Sequence, residues 1–173
     1  MMQKKLENLG VAILYRGEHI NTLKCTLETT RIFLPEHEVV CIINAGNNQP
    51  NISGLKFIDG GKSVFSVLNT ARKYFKKKNI LHLSTGNKVT NRCFSSYSQW
   101  CHDGKTIAYR SVFNRRIFPF SKTGGFFLPP NTLKQIGEFP ENIEGVVEGK
   151  TIWAANALFA GYKICGIIQP GII

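Results

Sequence analysis

From residue 10 to residue 84 the chain alternates short apolar runs with longer stretches in which apolar side chains recur every three or four positions. "GVAILY" (10–15) is a predicted strand, and "EHINTLKCTLETTRIF" after it places Ile20, Leu23 and Leu27 on one helical face. "EVVCIIN" (38–44) is β-branched and apolar on both faces, which suits a buried parallel strand. "AGNNQPNISG" is a loop by composition, and "LKFID" (55–59) a weaker strand. Ser63 is placed to cap a helix over "VFSVLNTARKYFKKK", where Val64, Val67, Leu68, Ala71 and Phe75 form one stripe. Its closing lysines would sit at the helix C-terminus, where cations oppose the dipole. "NILHLS" (79–84) is the next strand. Such alternation builds a parallel sheet covered by helices, with ligands at the carboxyl ends of the strands. It directs attention to Tyr15-Arg16-Gly17, Asn44-Ala45-Gly46 and Ser84-Thr85-Gly86-Asn87, each small or polar and each containing glycine.

The second half is less regular. "VTNRCFSSYSQWC" (89–101) reads as a helix and "TIAYRSVF" (106–113) as a strand. "NRRIFPFSKTGGFFLPP" mixes cations, aromatics and a Gly-Gly pair. "NTLKQIG" looks like a capped short helix that stops at Gly137, "GKTIWAANALFAG" like a helix that stops at Gly161, and "YKICGII" like a final strand. With no repeat, linker or low-complexity tract, residues 1–173 are expected to form a single α/β domain.

Composition adds few constraints except through charge. Hydrophobic residues make up 43% of the chain and the mean hydropathy is −0.09, as in an ordinary globule. No apolar run approaches the roughly 20 residues that span a bilayer, and "MMQKKLENLG" lacks the apolar core of a signal peptide. Five scattered cysteines without a CxxC pair read as reduced thiols in a cytoplasmic setting. The formal net charge is +11, and the imbalance is local: from Gly60 to Gly137 there are fourteen Lys and Arg and a single acid, Asp103. Most surfaces mix signs, so this stretch points to a phosphate-bearing partner, whether nucleotide or polymer.

The order of motifs resembles the nucleotide-sugar glycosyltransferases of the GT-A fold, family 2 in particular. "VAILYRGE" stands where that family has its opening strand, and "VVCIINAGNN" where it has the strand ending in "DnGs". "VLNTARKYFKKKNILHLSTGN" is similar to the helix and strand that lead into its DxD motif, and "GGFFLPPNTLKQIGEFPENIEG" with "TIWAANALFAGYKI" to its later half. The resemblance covers nearly the whole chain. It implies a Rossmann-like GT-A domain with a mostly parallel sheet flanked by helices, a nucleotide-diphosphate sugar donor (a UDP-sugar in the first instance) and transfer of the sugar to an acceptor hydroxyl. The acids are poorly kept. The DxD positions fall on Ser84 and Gly86, the strand-end Asp has become Asn44, and the acidic pair before the last helix falls on Gly149 and Lys150 with Glu148 one residue early. Mg²⁺ or Mn²⁺ would normally take at least one carboxylate, so the sequence assigns no metal ligand.

The candidates follow from this mapping. Glu148 is the surviving acid that could take the acceptor's proton; its other reading is a helix N-terminal acid favouring the dipole. Lys150, Lys88, Arg72 and Arg16 could neutralise a diphosphate without a metal. Tyr15, Asn44, Gly46, Asn69 and the turn Ser84, Thr85, Gly86 and Asn87 complete the expected nucleotide-sugar contacts. Gly124 and Gly125, with Phe126 and Phe127, could wall the sugar, or form a turn beside core phenylalanines. Trp153 is expected in the core and His82 as a satisfied interior group. Cys93, Cys101 and His102 match no standard zinc spacing. Arg115, Arg116 and Lys122, interleaved with aromatics, suit a polyanionic acceptor such as nucleic acid, modified DNA or a cell-surface polymer. Three readings stand at this point: a metal-independent glycosyltransferase, a non-catalytic GT-A-like nucleotide-binding protein, and a nucleic-acid binder.

Overall fold

The computed structural model describes residues 8–98, 103–110, 124–143, 145–167 and 171–173. Among these residues seven strands and five helices follow one another as β1 (Leu9–Tyr15), α1 (Ile20–Phe33), β2 (Glu38–Ile43), β3 (Lys56–Asp59), α2 (Val64–Tyr74), β4 (Asn79–Ser84), α3 (Arg92–Ser98), β5 (Thr106–Arg110), β6 (Gly124–Leu128), α4 (Thr132–Ile136), α5 (Val146–Phe159) and β7 (Lys163–Ile167). The strands form one sheet in the order β3-β2-β1-β4-β6-β5-β7. β6 pairs antiparallel with β4 and with β5, and the other pairings are parallel. The mostly parallel sheet of an α/β domain is therefore as expected.

Period-two alternation splits the core into two layers. Val11, Ile13 and Tyr15 of β1 face the layer that holds Leu23 and Leu27 of α1, while Ala12 and Leu14 face the layer that holds Phe65, Leu68 and Ala71 of α2. On β6 the same alternation separates the two phenylalanines. Phe126 packs in the α2 layer, and Phe127 packs in the α1 layer, where it stacks on Tyr97. Only Phe126 can face a ligand on the α2 side, which corrects the expectation that both would.

Three further expectations on element bounds and caps shift. The helix expected to run through the lysines 76–78 ends at Tyr74, because Asn79 must already enter β4. Lys78 instead pairs with Glu38 at 2.7 Å. Ser63 does cap α2, in a reciprocal box with Ser66. Asn131 precedes α4 in the left-handed region (φ 64°) and makes no side-chain cap. α5 begins at Val146, earlier than expected, which puts Glu148 inside its first turn.

Register fixes where the strands end. Leu14 lies opposite Ser84, and Tyr15 opposite Ile43, so β1, β2 and β4 finish side by side. Backbone bonds continue the alignment beyond the strands: Asn44 N–H donates to the Tyr15 carbonyl at 2.9 Å and Thr85 N–H to the Leu14 carbonyl at 3.2 Å.

Candidate functional site

A cavity of about 220 Å³ opens beside these strand ends, on the α2 side of the sheet. β1 contributes Leu14, with Arg16 just beyond it, and β4 contributes His82 and Ser84. Tyr109 of β5 and Gly125 and Phe126 of β6 close one side, and Val146 and Lys150, one turn apart on α5, close another. α2 supplies an apolar wall through Val67 and Leu68. Of the expected contacts, Arg16, Ser84, Gly125 and Lys150 are thus brought together. Gly125 has φ +78°, a conformation that favours glycine, and an added Cβ would press on Arg110.

Electrostatics at the cavity are one-sided. Among the described residues no Asp or Glu lines it. Burial, and then the charge of Arg16, pull the Lys150 ammonium down to a pKa of about 8. The two cations therefore sense each other across the opening. Arg16 is tethered by Glu18, whose carboxylate stands 3.8 Å from Arg16 Nε and accepts from Arg16 N–H at 2.7 Å. His82 is 1% exposed, and neither imidazole nitrogen has a partner among the described residues. Burial, together with the charges of Arg72 and Lys150, lowers its pKa to about 3, so the ring is neutral. The expectation that His82 is a satisfied interior group is therefore wrong.

The turn after β4 is tied inward. Asn87 Oδ1 accepts from Ser84 N–H at 2.8 Å, and the Thr85 hydroxyl donates to the Leu14 carbonyl at 2.9 Å. Gly86, at φ +96°, donates its N–H to Thr26 Oγ1 at 2.9 Å. Thr29 Oγ1 likewise accepts from Val89 N–H at 3.2 Å. These α1 threonines, which the apolar pattern passes over, hold the turn in place; their spacing of three on the face beside Leu23 and Leu27 was the available signal. The turn does not fit the divalent cation that a DxD motif would hold. It has no carboxylate, and its side-chain carbonyl is already committed to a backbone N–H. Among the described residues no three His, Cys, Asp or Glu side chains gather. Both aspartates serve turns: Asp59 accepts from Gly61 N–H, and Asp103 from Lys105 N–H and from the amide and hydroxyl of Thr106.

Several candidates have other positions. Arg72 is 1% exposed and does not line the cavity. Its guanidinium donates to the Gly137 carbonyl at 2.9 Å and to Thr132 Oγ1 at 3.3 Å, and lies over the rings of Phe139 and Trp153. Asn69 is equally committed, donating to the Phe139 carbonyl and accepting from Phe139 N–H. Both fasten the segment after α4 rather than a phosphate. Trp153 is core, as expected. Tyr15 is turned into the α1 layer, with its hydroxyl donating to the Glu18 carbonyl. Glu148 is exposed, lies outside the cavity lining and bends back over Gly145, the residue that caps α5. Lys88 is exposed and does not line the cavity. Asn44 and Gly46 end β2 beside the site, with Asn44 Oδ1 buried and without a protein partner. Gly124 starts β6, while Arg115, Arg116 and Lys122 lie outside the described residues.

No family model matches the chain, and no curated protein matches it by sequence. Solved structures do match its shape. A Bacillus anthracis protein assigned as a glucose-1-phosphate thymidylyltransferase superposes with a TM-score of 0.64 at 11% identity, covering 94% of this chain and 87% of that one. The 2-C-methyl-D-erythritol 4-phosphate cytidylyltransferase of Thermus thermophilus gives 0.59 at 15% identity, over 94% and 90% of the two chains. The galactosyltransferase LgtC, solved with donor and acceptor sugar analogues, gives 0.52 at 16% identity, over 91% and 72%. At these identities the likeness carries the fold alone: the chain is a single α/β domain of the GT-A and nucleotidyltransferase-like type.

Proposed function

We propose that the protein binds a nucleoside-diphosphate sugar at the carboxyl ends of β1, β2 and β4 and transfers the sugar to an acceptor hydroxyl. Arg16 and Lys150 take the place of a divalent cation in holding the diphosphate. The observation that carries this reading is that pair of cations on a wall that, among the described residues, has no carboxylate. A half-buried Lys150 ammonium close to the charge of Arg16 makes a site where an anion is welcome, since its charge offsets both the burial and the repulsion felt by Lys150. Ser84 and Gly125 fit the reading as small groups that let a sugar phosphate approach. A polyanionic acceptor belongs to the proposal on the charge of the sequence alone: Arg115, Arg116 and Lys122, which carry it, lie outside the described residues.

A second reading, binding without turnover, is favoured by one observation. Glu148, the acid expected to serve as base, does not line the cavity, and among the described residues no other acid does.

Thermal unfolding with UDP, dTDP, GDP and CDP, each with and without Mn²⁺, tests the binding. A ligand of the native state must raise Tm, by an amount that grows with its concentration over Kd. The expected result is a rise with at least one diphosphate that is independent of Mn²⁺ and lost in Lys150→Met. No rise with any of the four would overturn the reading. Release of free sugar or of product from the matching nucleotide sugar then separates transfer from binding alone.

A further inference from the structure

The inner end of the cavity has a polarity that phosphate binding does not explain. His82 and Ser84 project from β4 into a space whose other walls are mostly hydrocarbon: Leu14, Val67, Leu68, Phe126 and Phe139. His82 stacks on Phe126, with ring centroids 5.7 Å apart. Phe126 is in turn held against Phe139 and Trp153, at 6.3 Å from each. The imidazole is thus packed against a layer of aromatic rings. Its two nitrogens are buried without a partner among the described residues. Burying a polar group unpaired is unfavourable. A neutral imidazole offers one N–H donor and one lone-pair acceptor. What enters must satisfy these while presenting an apolar surface to the rest of the wall.

A bare hydroxyl at this end fits poorly: it can use an imidazole nitrogen but leaves the hydrocarbon beside it uncovered. An amide bearing a methyl group fits well. Its N–H or C=O can meet His82, and its methyl lies against hydrocarbon. We infer that the sugar end of the ligand carries an acylamino group, and that His82 selects it. The inference rests on the anion at Arg16 and Lys150 proposed above, and it adds the class of sugar.

The probes are N-acetylglucosamine 1-phosphate and glucose 1-phosphate, which differ at C2 and carry no base. They report on the cavity separately from the nucleotide panel. Binding to the full chain is read by thermal shift and by titration calorimetry. The acylamino sugar phosphate should bind about tenfold more tightly, the worth of one hydrogen bond and a buried methyl. His82→Leu keeps an apolar group of similar bulk and should erase the preference. His82→Gln restores a donor and an acceptor and should recover part of it, which a merely structural role for His82 would not produce. Equal binding of the two probes, a preference that survives His82→Leu, or binding of neither would each overturn the inference. If a nucleoside diphosphate still raises Tm in any of those cases, the binding reading stands and only the choice of sugar falls.

Discussion

Arg72 is the sharpest test of how the candidate residues divide between ligand and scaffold. By sequence it is one of four cations available to a diphosphate; in the structure it is a clamp under the aromatic layer behind the cavity. Its burial moves its pKa from the ordinary arginine value to about 10, which corresponds to a cost of roughly 3 kcal/mol for keeping it charged there. Against that stand two hydrogen bonds, to the Gly137 carbonyl and to Thr132 Oγ1, each charge-assisted and worth roughly 1.5–3 kcal/mol. The polar terms therefore come close to balance. What remains is packing. Arg72→Met keeps most of the aliphatic stem and removes the buried charge, so it should destabilise by roughly 0–2 kcal/mol. Arg72→Ala also removes two methylenes at ~0.8 kcal/mol each and opens a void between Phe139, Trp153 and α2, for a total of roughly 3–5 kcal/mol. For a domain of this size that lowers Tm by roughly 6–20 °C. Urea unfolding gives the stabilities, and calorimetry on the folded fraction gives the affinity for the stabilising diphosphate. Affinity should stay within about twofold in both variants. Arg72→Met with parental stability but no ligand binding would return Arg72 to the phosphate and refute the clamp. Arg72→Ala within about 1 kcal/mol of the parent would refute the packing argument.

Three other outcomes follow from the geometry. Because the Lys150 pKa is lowered to about 8, its charge is present below that pH and lost above it, so diphosphate affinity should fall as pH rises through 8. The ligand-free protein should show the opposite trend from this residue, gaining stability above pH 8 as the unfavourable buried charge disappears; Tm against pH with and without ligand checks both. Lys150→Met should weaken binding by about tenfold to a hundredfold, the worth of one charge-assisted hydrogen bond, and flatten the pH dependence. Gly149→Ala should destabilise by roughly 1–3 kcal/mol in urea unfolding despite the better helix propensity of alanine, because the new Cβ would meet the Phe65 ring at 2.5 Å. Glu148→Gln should leave diphosphate affinity unchanged within about twofold, since its carboxylate does not line the cavity; a tenfold loss by calorimetry would place it at the ligand after all.

The elements that could be read from the chain were those whose side chains repeat a simple period. "GVAILY", "EVVCIIN" and "NILHLS" are buried along most of their length, and the expected stripe over α2 is buried at Val67, Leu68, Ala71 and Phe75, with Val64 half-buried. The cavity opens beside the carboxyl ends of these strands. What escaped depended on contacts between distant segments. The roles of Thr26 and Thr29 become visible only once α1 lies beside the turn after β4. Arg72 and Asn69 read as ligand contacts, and only the folded chain shows α4 and the Phe139 segment closing over them. His82 was taken for a satisfied residue because a strand histidine usually finds a partner, and no local rule says that its neighbours will all be apolar. Glu148 moved away from the site because α5 starts a turn early, and two helical positions from Lys150 is the far side of a helix.

The division of the core by the alternating strands sets where change is tolerated. Side chains on the α2 side of the sheet serve two masters, packing and the cavity wall, so a substitution at Leu14, Val67 or Phe126 alters fit and stability together. Most side chains in the α1 layer, such as Leu23, Leu27 and Phe127, touch no cavity wall. That layer can absorb volume-conserving exchanges, or be deliberately overstabilised, without reshaping the pocket. Any attempt to retarget this protein to another ligand should begin there. Extra stability laid down on the far face would supply the margin that changes to the near face consume.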